Sequence, residues 1–317
     1  MSTDYRCPIV FCAGSSALPS LQVLLYSICA NNKGSFVFYL IADKLRPGEL
    51  SRFKHFVQLL KTRDRGYCTL QVIETDSRSM LSRLECTLPD YHGSAAPYLK
   101  IFLPDILKEV RDPSGRELSQ VIVLDCDMLC RGSLDELFAA AQQVDFAGAV
   151  QDKLALQRDF LLLTPQYFNP GMLVLNLKAL QDFNFTEKAL DIARNNLEQL
   201  QNPPADILCN ALLDVDITLL PERFNEYRPS KGEVKKAVLL HYVGAGKPWH
   251  RHMRWRLKKV YWLTYAFCTW ALRHGVQSGR FGRSVIFRLL SLLRGFFNLY
   301  LSLKELIVGK RQEPHGY

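Results

Sequence analysis

Short apolar runs alternate with longer amphipathic segments along most of this 317-residue chain. Runs of about four to eight apolar residues bounded by turn residues are typical of buried strands, and longer segments between them are typical of helices. The alternation therefore predicts an α/β fold with a mostly parallel, two-sided sheet. Predicted strands are residues 8–13, 36–43, 69–74, 121–124, 146–150, 171–176 and 237–243. Predicted helices are residues 18–30, 47–61, 98–107, 133–142 and 187–200.

The excess of positive charge lies in the last part of the chain. Residues 247–317 contain 14 Lys and Arg against 2 Asp and Glu, whereas residues 1–246 contain 26 against 29. A near-neutral body with a cationic end is typical of a protein that meets an anionic surface, either a membrane or a nucleic acid. We find no internal repeat and no low-complexity linker. The sequence thus predicts one domain over residues 1–250 and a basic helical tail over residues 251–317.

Large apolar side chains lie between the basic residues of this tail. Its longest uncharged stretch, residues 260–272, has 13 residues, fewer than the roughly 20 that a spanning helix needs. Arginines and lysines beside Trp, Tyr, Phe and Leu predict helices that associate with the headgroup region of a membrane. Packing of the same helices on the body is the alternative. Nucleic acid is disfavoured as a partner because no reader motif accompanies the charge.

The cysteines and the start of the chain bear on the cellular compartment. Nine scattered cysteines without a CxxC pair predict free thiols in a reducing compartment. The first residues contain no apolar core followed by a cleavage site of small residues, which favours a cytosolic start. With the tail, this predicts a cytoplasmic protein that is peripheral on the inner face of the cell membrane.

An apolar strand ends in two aspartates in the segment QVIVLDCDML, residues 120–129. Asp125 and Asp127 stand two positions apart, so on an extended chain both side chains project to the same side. Ligands of open α/β sheets bind beyond the carboxyl ends of strands, where these carboxylates would converge. Converging carboxylates need a cation, and oxygen ligands favour Mg²⁺ or Mn²⁺. The alternative is a pair of surface aspartates without a metal.

A second apolar strand leads into LLHYVGAGKPWH, residues 239–250. His241 would add an imidazole ligand that suits Mn²⁺, and the glycines allow close approach of the backbone to a ligand. Lys247 would neutralise phosphate oxygens. The alternative for His241 is a structural group with satisfied hydrogen bonds. Taken together with the carboxylate pair, the segment predicts a site for a metal and a diphosphate.

Six segments resemble glycosyltransferase family 8, in particular the bacterial lipopolysaccharide and lipooligosaccharide glucosyl- and galactosyltransferases. They are PIVFCAG, SAAPYLKIFLPDIL, VIVLDCDMLCRGSLDELF, YFNPGMLVLNLKAL, LPERFNEY and HYVGAGKPWH, in the family's order over residues 8–250. The resemblance implies a GT-A type, Rossmann-like nucleotide-sugar-binding fold. It further implies that Asp125, Asp127 and His241 ligate Mn²⁺, or Mg²⁺, at the diphosphate of a UDP-sugar.

The resemblance also implies further site residues. The donor-binding set comprises Ala13, Gly14, Ser16, Lys100, Asp125, Cys126, Asp127, Asn169, Gly244 and Lys247. Lys100 stands where the family usually has arginine, and it keeps the charge but loses the bidentate fork. Asn169 would contact the donor sugar. Asp152 and Asp206 would act in catalysis, as a base or as an electrostatic stabiliser.

Two segments depart from the family pattern. The family's Asp-Gln-Asp is replaced by Pro-Ala-Asp at residues 204–206. The carboxylate that grips the donor sugar and the glutamine discussed as a nucleophile are therefore absent. The opening strand is followed by Ala-Gly-Ser-Ser at residues 13–16, where the family carries Asp-Asp or Asp-x-Asn contacts to the nucleoside. Hydroxyl groups would replace those carboxylates.

The function implied by the resemblance is metal-dependent transfer, with retention, of glucose or galactose from UDP-glucose or UDP-galactose. The acceptor would be a lipopolysaccharide core or another glycolipid or oligosaccharide at the cytoplasmic membrane face. Two alternatives stay open. One is a degenerate family member that binds a nucleotide-sugar or a partner protein without turnover. The other is a nucleic-acid-binding protein, which the tail charge alone favours.

Overall fold

The structure, a computed structural model, describes residues 6–84, 88, 95–152, 167–227, 229, 232–244, 247–248 and 255–274. Within these ranges the strands are β1 Ile9–Gly14, β2 Phe36–Asp43, β3 Cys68–Thr75, β4 Gln120–Leu124, β5 Met128–Cys130, β6 Ala147–Gln151, β7 Phe168–Asn176, β8 Ile217–Leu219 and β9 Leu239–His241. The α-helices are α1 Leu18–Asn31, α2 Pro47–Leu59, α3 Ser77–Leu81, α4 Leu103–Ile106, α5 Asp135–Ala141, α6 Leu177–Asp182, α7 Phe185–Asn196, α8 Pro203–Ala211, α9 Glu233–Lys236 and α10 Trp255–His274. Shorter 3₁₀ helices are Ser15–Ala17, Ser82–Leu84, Ala96–Phe102, Leu197–Gln199 and Glu222–Phe224.

The described strands form a central sheet in the order β3-β2-β1-β4-β7-β6-β8 and a small sheet of β5 with β9. In the central sheet, β7 runs antiparallel to its neighbours β4 and β6, and the other pairings are parallel. The expected α/β class with a mostly parallel sheet is confirmed. Since β1, β2, β3 and β4 are parallel, their carboxyl ends lie at one edge of the sheet.

Both faces of the central sheet are buried, as the apolar runs predict. In β4, Val121 and Val123 pack into one core cluster, whereas Ile122 and Leu124 pack into the cluster on the opposite face. Alternation of side chains along a strand produces this division. The first cluster includes residues of α6, α7 and α8, and the second includes residues of α1, α2 and α5.

Some predicted elements are wrong in kind or missing. Residues 98–107, predicted as one helix, form the 3₁₀ helix Ala96–Phe102 followed by α4. Pro97 and Pro104 lack the backbone N–H of an α-helical interior, which accounts for the interruption. The three-residue strands β5 and β8 were not predicted, because segments this short carry no periodicity of their own.

The first helix of the basic tail, α10, packs on the body. Leu257 and Tyr261 belong to a small core cluster with Val23, Leu240 and Tyr242, while Cys268 lies in the cluster beneath α1 and α2. None of the helices in the described residues combines the length and the apolarity that crossing a membrane requires. The rest of the tail, residues 275–317, lies outside the described residues, so its predicted membrane association stays a prediction.

The cysteines of the described residues are free thiols, as expected. Burial raises the pKa of Cys12 and Cys130 to about 12. Cys29 and Cys68 lie with their Sγ atoms 3.2 Å apart, and burial is again the main reason that the pKa of Cys29 is raised. These thiols therefore stay protonated near neutral pH.

Candidate metal site and its surroundings

Two distant segments bring a carboxylate pair and a histidine together. Asp125 and Asp127 follow β4 at its carboxyl end, and the amide of Asp125 donates to the carbonyl of Gly171 in β7 at 2.8 Å. Strand β5 then pairs antiparallel with β9, with Met128 opposite His241. This register puts His241 Nε2 3.6 Å from Asp125 Oδ2 and 3.3 Å from Asp127 Oδ1.

The predicted convergence of the two carboxylates is thus confirmed. One ligand atom each from Asp125, Asp127 and His241 lies within 4.8 Å of the other two. Two carboxylates and one imidazole form a ligand set that suits Mn²⁺ or Mg²⁺, with the remaining positions open to substrate oxygens. We call these three residues the carboxylate-histidine cluster.

Each carboxylate of the cluster contacts a lysine. Lys100, whose side chain is 5% exposed, holds its Nζ 2.6 Å from Asp125 Oδ1 and donates to the carbonyl of Pro170 at 2.7 Å. Lys247 Nζ donates to Asp127 Oδ2 and, at 2.8 Å, to the carbonyl of Tyr242. The two lysines offset the carboxylate charges, as a metal would.

The pKa of Asp127 is well below its usual range. Burial would raise this pKa, but His241 and Lys247 favour the ionised carboxylate and outweigh burial. Ionised carboxylates are the form that binds a metal. Asp127 is therefore a ready ligand at neutral and mildly acidic pH.

The other ring nitrogen of His241 is fixed by Asn225. His241 Nδ1 lies 2.8 Å from Asn225 Oδ1, while Asn225 Nδ2 donates to the backbone carbonyl and to Oδ1 of Asn169 at 3.1 and 3.0 Å. The amide oxygen of Asn225 can only accept, so Nδ1 carries the hydrogen. Nε2 then faces the two carboxylates and is the ring nitrogen that would ligate a metal beside them, so the residues fit a metal.

Gly171 in β7 leaves room for the imidazole. A Cβ on Gly171 would lie 2.0 Å from His241 Cε1, well inside contact distance. The Gly171 amide donates to Asn169 Oδ1 at 2.9 Å. Asn169 is 7% exposed, and its side-chain oxygen accepts from both Gly171 and Asn225. Asn169 is thus linked through Asn225 to the side of the His241 ring that faces away from the carboxylates. The predicted contact of Asn169 with a donor sugar stays a prediction.

Asp206 is surrounded by hydrogen-bond donors. Tyr167 donates its hydroxyl to Asp206 Oδ1 at 2.7 Å, and the amides of Gln201 and Asn202 donate to Oδ2 at 2.8 Å each. The residue is 6% exposed and lies in the first turn of α8. These contacts fix the start of α8 to the segment that leads into β7, and catalysis by Asp206 stays a prediction.

Asp152 contacts the same tyrosine through the backbone. Its amide donates to the carbonyl of Tyr167 at 2.9 Å, and its Oδ1 accepts from the hydroxyl of Tyr227 at 2.6 Å. Asp152 is half-buried. The structure therefore brings Asp152 and Asp206 to Tyr167, and neither belongs to the carboxylate-histidine cluster.

The remaining predicted donor residues lie at the ends of strands or in the segments that follow them. Ala13 is buried and Gly14 ends β1, while Cys126 is buried with its Sγ 3.6 Å from the Cys12 carbonyl. Gly244 has φ +75°, a left-handed conformation that favours glycine. A cleft of about 470 Å³ opens where β1 and β2 end. Its lining comprises Gly14, Ser15, Ser16, Asp43, Lys44, Arg46, Glu49, Ser77, Arg78 and Ala95.

Sequence reasoning missed Asn225. The residue lies in the segment LPERFNEY, which the family resemblance includes, but an isolated asparagine there carries no sign of its partner. Asn225 is 1% exposed. Burial of an amide that contacts both His241 and Asn169 is the observation that identifies it, and only the folded chain supplies this observation.

A model of the family described as "Glycosyl transferase family 8" matches residues 8–253. The chain belongs to glycosyltransferase family 8. This family 8 chain is 27% identical over 282 residues to the "Lipopolysaccharide 1,2-glucosyltransferase" of Escherichia coli strain K12, and the alignment covers 83% of this chain and 78% of that protein. It is 23% identical over 242 residues to the "Lipopolysaccharide 1,3-galactosyltransferase" of Salmonella typhimurium, and that alignment covers 70% of this chain and 66% of the galactosyltransferase.

Solved structures resemble the family 8 chain in fold. The galactosyltransferase LgtC, crystallised with donor and acceptor sugar analogues, aligns with a TM-score of 0.65 at 19% identity, over 82% of this chain and 95% of LgtC. The glycosyltransferase GlyE of Streptococcus pneumoniae aligns with a TM-score of 0.60 at 18% identity, over 86% of this chain and 65% of GlyE. These likenesses confirm the expected GT-A fold.

Proposed function

We propose that this family 8 glycosyltransferase moves glucose or galactose from a UDP-sugar to a lipopolysaccharide core or another glycan, with retention of configuration and with Mn²⁺ or Mg²⁺. The carboxylate-histidine cluster at the carboxyl end of β4, with a lysine on each carboxylate, is the observation that carries the proposal. The names of the relatives, a lipopolysaccharide glucosyltransferase and a lipopolysaccharide galactosyltransferase, support the class of sugar and acceptor.

The cluster and its lysines have distinct roles in this proposal. Asp125, Asp127 and His241 would hold the metal, which when bound supplies positive charge against the departing UDP. Lys247 would turn from Asp127 to the diphosphate, because the metal takes over the neutralisation of that carboxylate. Lys100 would keep Asp125 in place and add positive charge beside the donor. Electrostatic stabilisation of the leaving group is the main demand of the reaction.

The donor would extend along the sheet edge from this cluster. The backbone of Gly14 and the hydroxyls of Ser15 and Ser16 line the cleft at the end of β1, where a nucleoside would lie. Asn169, at the start of β7, would face the sugar. Strand β1 pairs in parallel with β4, so its carboxyl end lies at the same sheet edge as Asp125, where ligands of open α/β sheets bind.

Asp152 and Asp206 are the proposed catalytic carboxylates, and their surroundings distinguish them. Both oxygens of Asp206 already accept hydrogen bonds from Tyr167 and from two backbone amides. Asp152 is half-buried at the end of β6 and accepts from Tyr227. Because Asp152 is half-buried while Asp206 is only 6% exposed, Asp152 is the more accessible candidate for a base or electrostatic stabiliser, and Asp206 would act by holding Tyr167.

The acceptor and the tail would place the reaction at the cytoplasmic face of the membrane. A lipid-linked acceptor is presented at that surface, and the charge of residues 251–317 would attract anionic lipid. Sedimentation with anionic vesicles tests this part: the full chain should sediment, and a chain that ends at residue 275, after the described α10, should not. Equal sedimentation of both chains would contradict the membrane role of residues 276–317.

A second candidate is a family member that binds nucleotide-sugar without turnover. The closed hydrogen bonding of Asp206 favours it, because a saturated carboxylate next to Pro204 and Ala205 has no free oxygen for a sugar. In that case the carboxylate-histidine cluster would bind a metal and a UDP-sugar, but no glycosyl group would be released.

A donor panel tests the proposal. Wild-type protein with Mn²⁺ is incubated with several UDP-hexoses, with and without glycan acceptors, and release of UDP is measured. We expect release with UDP-glucose or UDP-galactose and its loss in Asp125→Ala. Binding of a UDP-hexose without release would support the second candidate, and absence of binding would contradict both.

A further inference from the structure

Helix α10 contacts the segment that carries Lys247. The indole Nε1 of Trp262 donates to the carbonyl of Pro248, the next residue after Lys247, at 2.9 Å. One turn earlier, the backbone carbonyl of Leu257 accepts the hydroxyl of Tyr242 at 3.2 Å. The helix therefore binds both ends of the segment from Tyr242 to Pro248.

Tyr242 connects these contacts with the carboxylate-histidine cluster. Its ring meets that of Tyr261 edge to face, with centroids 5.6 Å apart, and its carbonyl accepts from Lys247 Nζ. Its amide donates to the carbonyl of Asp127 at 3.1 Å. Tyr242 also follows directly on His241. A displacement of the segment would therefore move Lys247 relative to Asp127.

The segment needs support from outside itself. It contains Gly244 at φ +75° and ends at Pro248, which has no amide hydrogen with which to anchor its own backbone. The Lys247 side chain is long and flexible, so any movement of the backbone beneath it adds to the range of positions that its ammonium can occupy. The hydrogen bond from Trp262 supplies a fixed point next to Lys247.

We propose that Trp262 is a positioning residue that holds Lys247 for the diphosphate of the donor, so that the first helix of the basic tail forms part of the donor site. This inference rests on the proposed function. Packing alone does not require the hydrogen bond, since a phenylalanine would keep an aromatic ring beside Tyr261 and Tyr265. The indole N–H is the feature that links α10 to the segment.

A double-mutant cycle on the full chain tests the proposal. Trp262→Phe keeps an aromatic ring and removes the donor, and Lys247→Met removes the ammonium. We expect Trp262→Phe to weaken UDP binding with Mn²⁺ about fivefold by calorimetry, the effect of one lost hydrogen bond. In the Lys247→Met background, Trp262→Phe should change affinity by less than twofold. Equal weakening in both backgrounds would overturn the proposal.

Hydrogen exchange gives a second readout that needs no ligand. The peptide that covers residues 242–248 should exchange faster in Trp262→Phe and in Tyr242→Phe than in wild type. Thr269→Ala is the matched control, since it removes a hydrogen bond that α10 makes with its own backbone. Unchanged exchange in both aromatic variants would overturn the proposal. If wild-type protein binds no UDP, the proposed function fails while this comparison still decides the role of Trp262.

Discussion

Asp127 is half-buried and Asp206 is buried, and the partners of the two carboxylates differ in charge. Asp127 contacts the ammonium of Lys247 and the imidazole of His241, whereas Asp206 contacts one hydroxyl and two backbone amides. Side-chain cations can be displaced by a metal ion or turn to a phosphate, but backbone amides in a helix start cannot. The difference supports the proposed metal binding by Asp127 and predicts that Asp206 contributes more to stability than to metal binding.

The comparison also shows what keeps each carboxylate in place. The hydrogen bonds to Asp206 satisfy both oxygens, and no charge of opposite sign is needed to keep it buried. Asp125 and Asp127 repel each other, so their positions depend on cations. Removal of Asp127 should therefore abolish metal-dependent activity, whereas removal of Asp206 should cost stability and spare the metal site.

Asp127→Asn should have the largest effect. It removes one negative ligand without changing the size of the side chain, so we expect transferase activity with Mn²⁺ to fall by about 10³-fold or more. The melting temperature should fall as well, because the lowered pKa of Asp127 means that its ionised carboxylate stabilises the folded protein. Steady-state UDP release and a thermal melt measure the two effects. Activity within tenfold of wild type would contradict the assignment.

Gly171→Ala should weaken the metal site through His241. The new Cβ would overlap the imidazole at 2.0 Å and displace it, and we expect Mn²⁺ affinity to fall about 10- to 100-fold, as for loss of a group that orients a ligand. Gly232→Ala is the matched control, because a Cβ there meets nothing within 4 Å. Equal Mn²⁺ affinity of the two variants by titration calorimetry would show that the imidazole is not a ligand.

Asp206→Ala should cost stability and spare the metal site. Tyr167 and two amides would lose their acceptor, and buried unpaired donors of this kind cost about 3 kcal/mol in sum. Chemical denaturation measures this loss, and Mn²⁺ affinity should stay within twofold of wild type. A stable variant with weakened metal binding would reverse the comparison between Asp127 and Asp206.

The smallest expected effect is on pH dependence and concerns Glu226, whose backbone contacts β9. Burial, and next Glu233 and Glu222, raise the pKa of Glu226 to about 7. A folded-state pKa above the unfolded value of about 4.3 means that stability falls as pH rises between these values. Glu226→Gln should therefore raise the melting temperature by about 2 °C at pH 8.5 and leave it unchanged at pH 4. An equal change in melting temperature at pH 8.5 and at pH 4 would show that the raised pKa of Glu226 is not the cause.

For Asp127 the change of stability with pH has the opposite sign. Its pKa is lowered in the folded protein, so its contribution to stability is present above the unfolded pKa of about 3.9 and is lost only as pH falls below that value. Between pH 5 and 8 the melting temperature of Asp127→Asn should therefore follow that of wild type in parallel. Thermal melts of both proteins at several pH values in that range measure the difference in melting temperature. A difference that disappears at pH 5 would contradict the lowered pKa.

The sequence predicts the strands and the two segments of the metal site, because buried strands and the aspartates behind them are local features. It does not predict the pairing of β5 with β9, which brings His241 to Asp127 and depends on two three-residue strands far apart in the chain. Asn225 and Trp262 carry no local signal either, since each acts through a partner that only the folded chain brings near. Asp206 has the residue type of a catalytic group, and its hydrogen bonds with Tyr167 and two backbone amides are a feature that only the folded chain supplies.

Binding of Mn²⁺ to the wild-type protein in the presence of UDP, measured by calorimetry beside Asp127→Asn and Asp206→Ala, tests the central claim most directly. We predict one Mn²⁺ per wild-type chain, loss of this binding in Asp127→Asn and its retention in Asp206→Ala. Retention of Mn²⁺ binding in Asp127→Asn, or absence of binding in wild type, would contradict the claim that Asp125, Asp127 and His241 form the metal site.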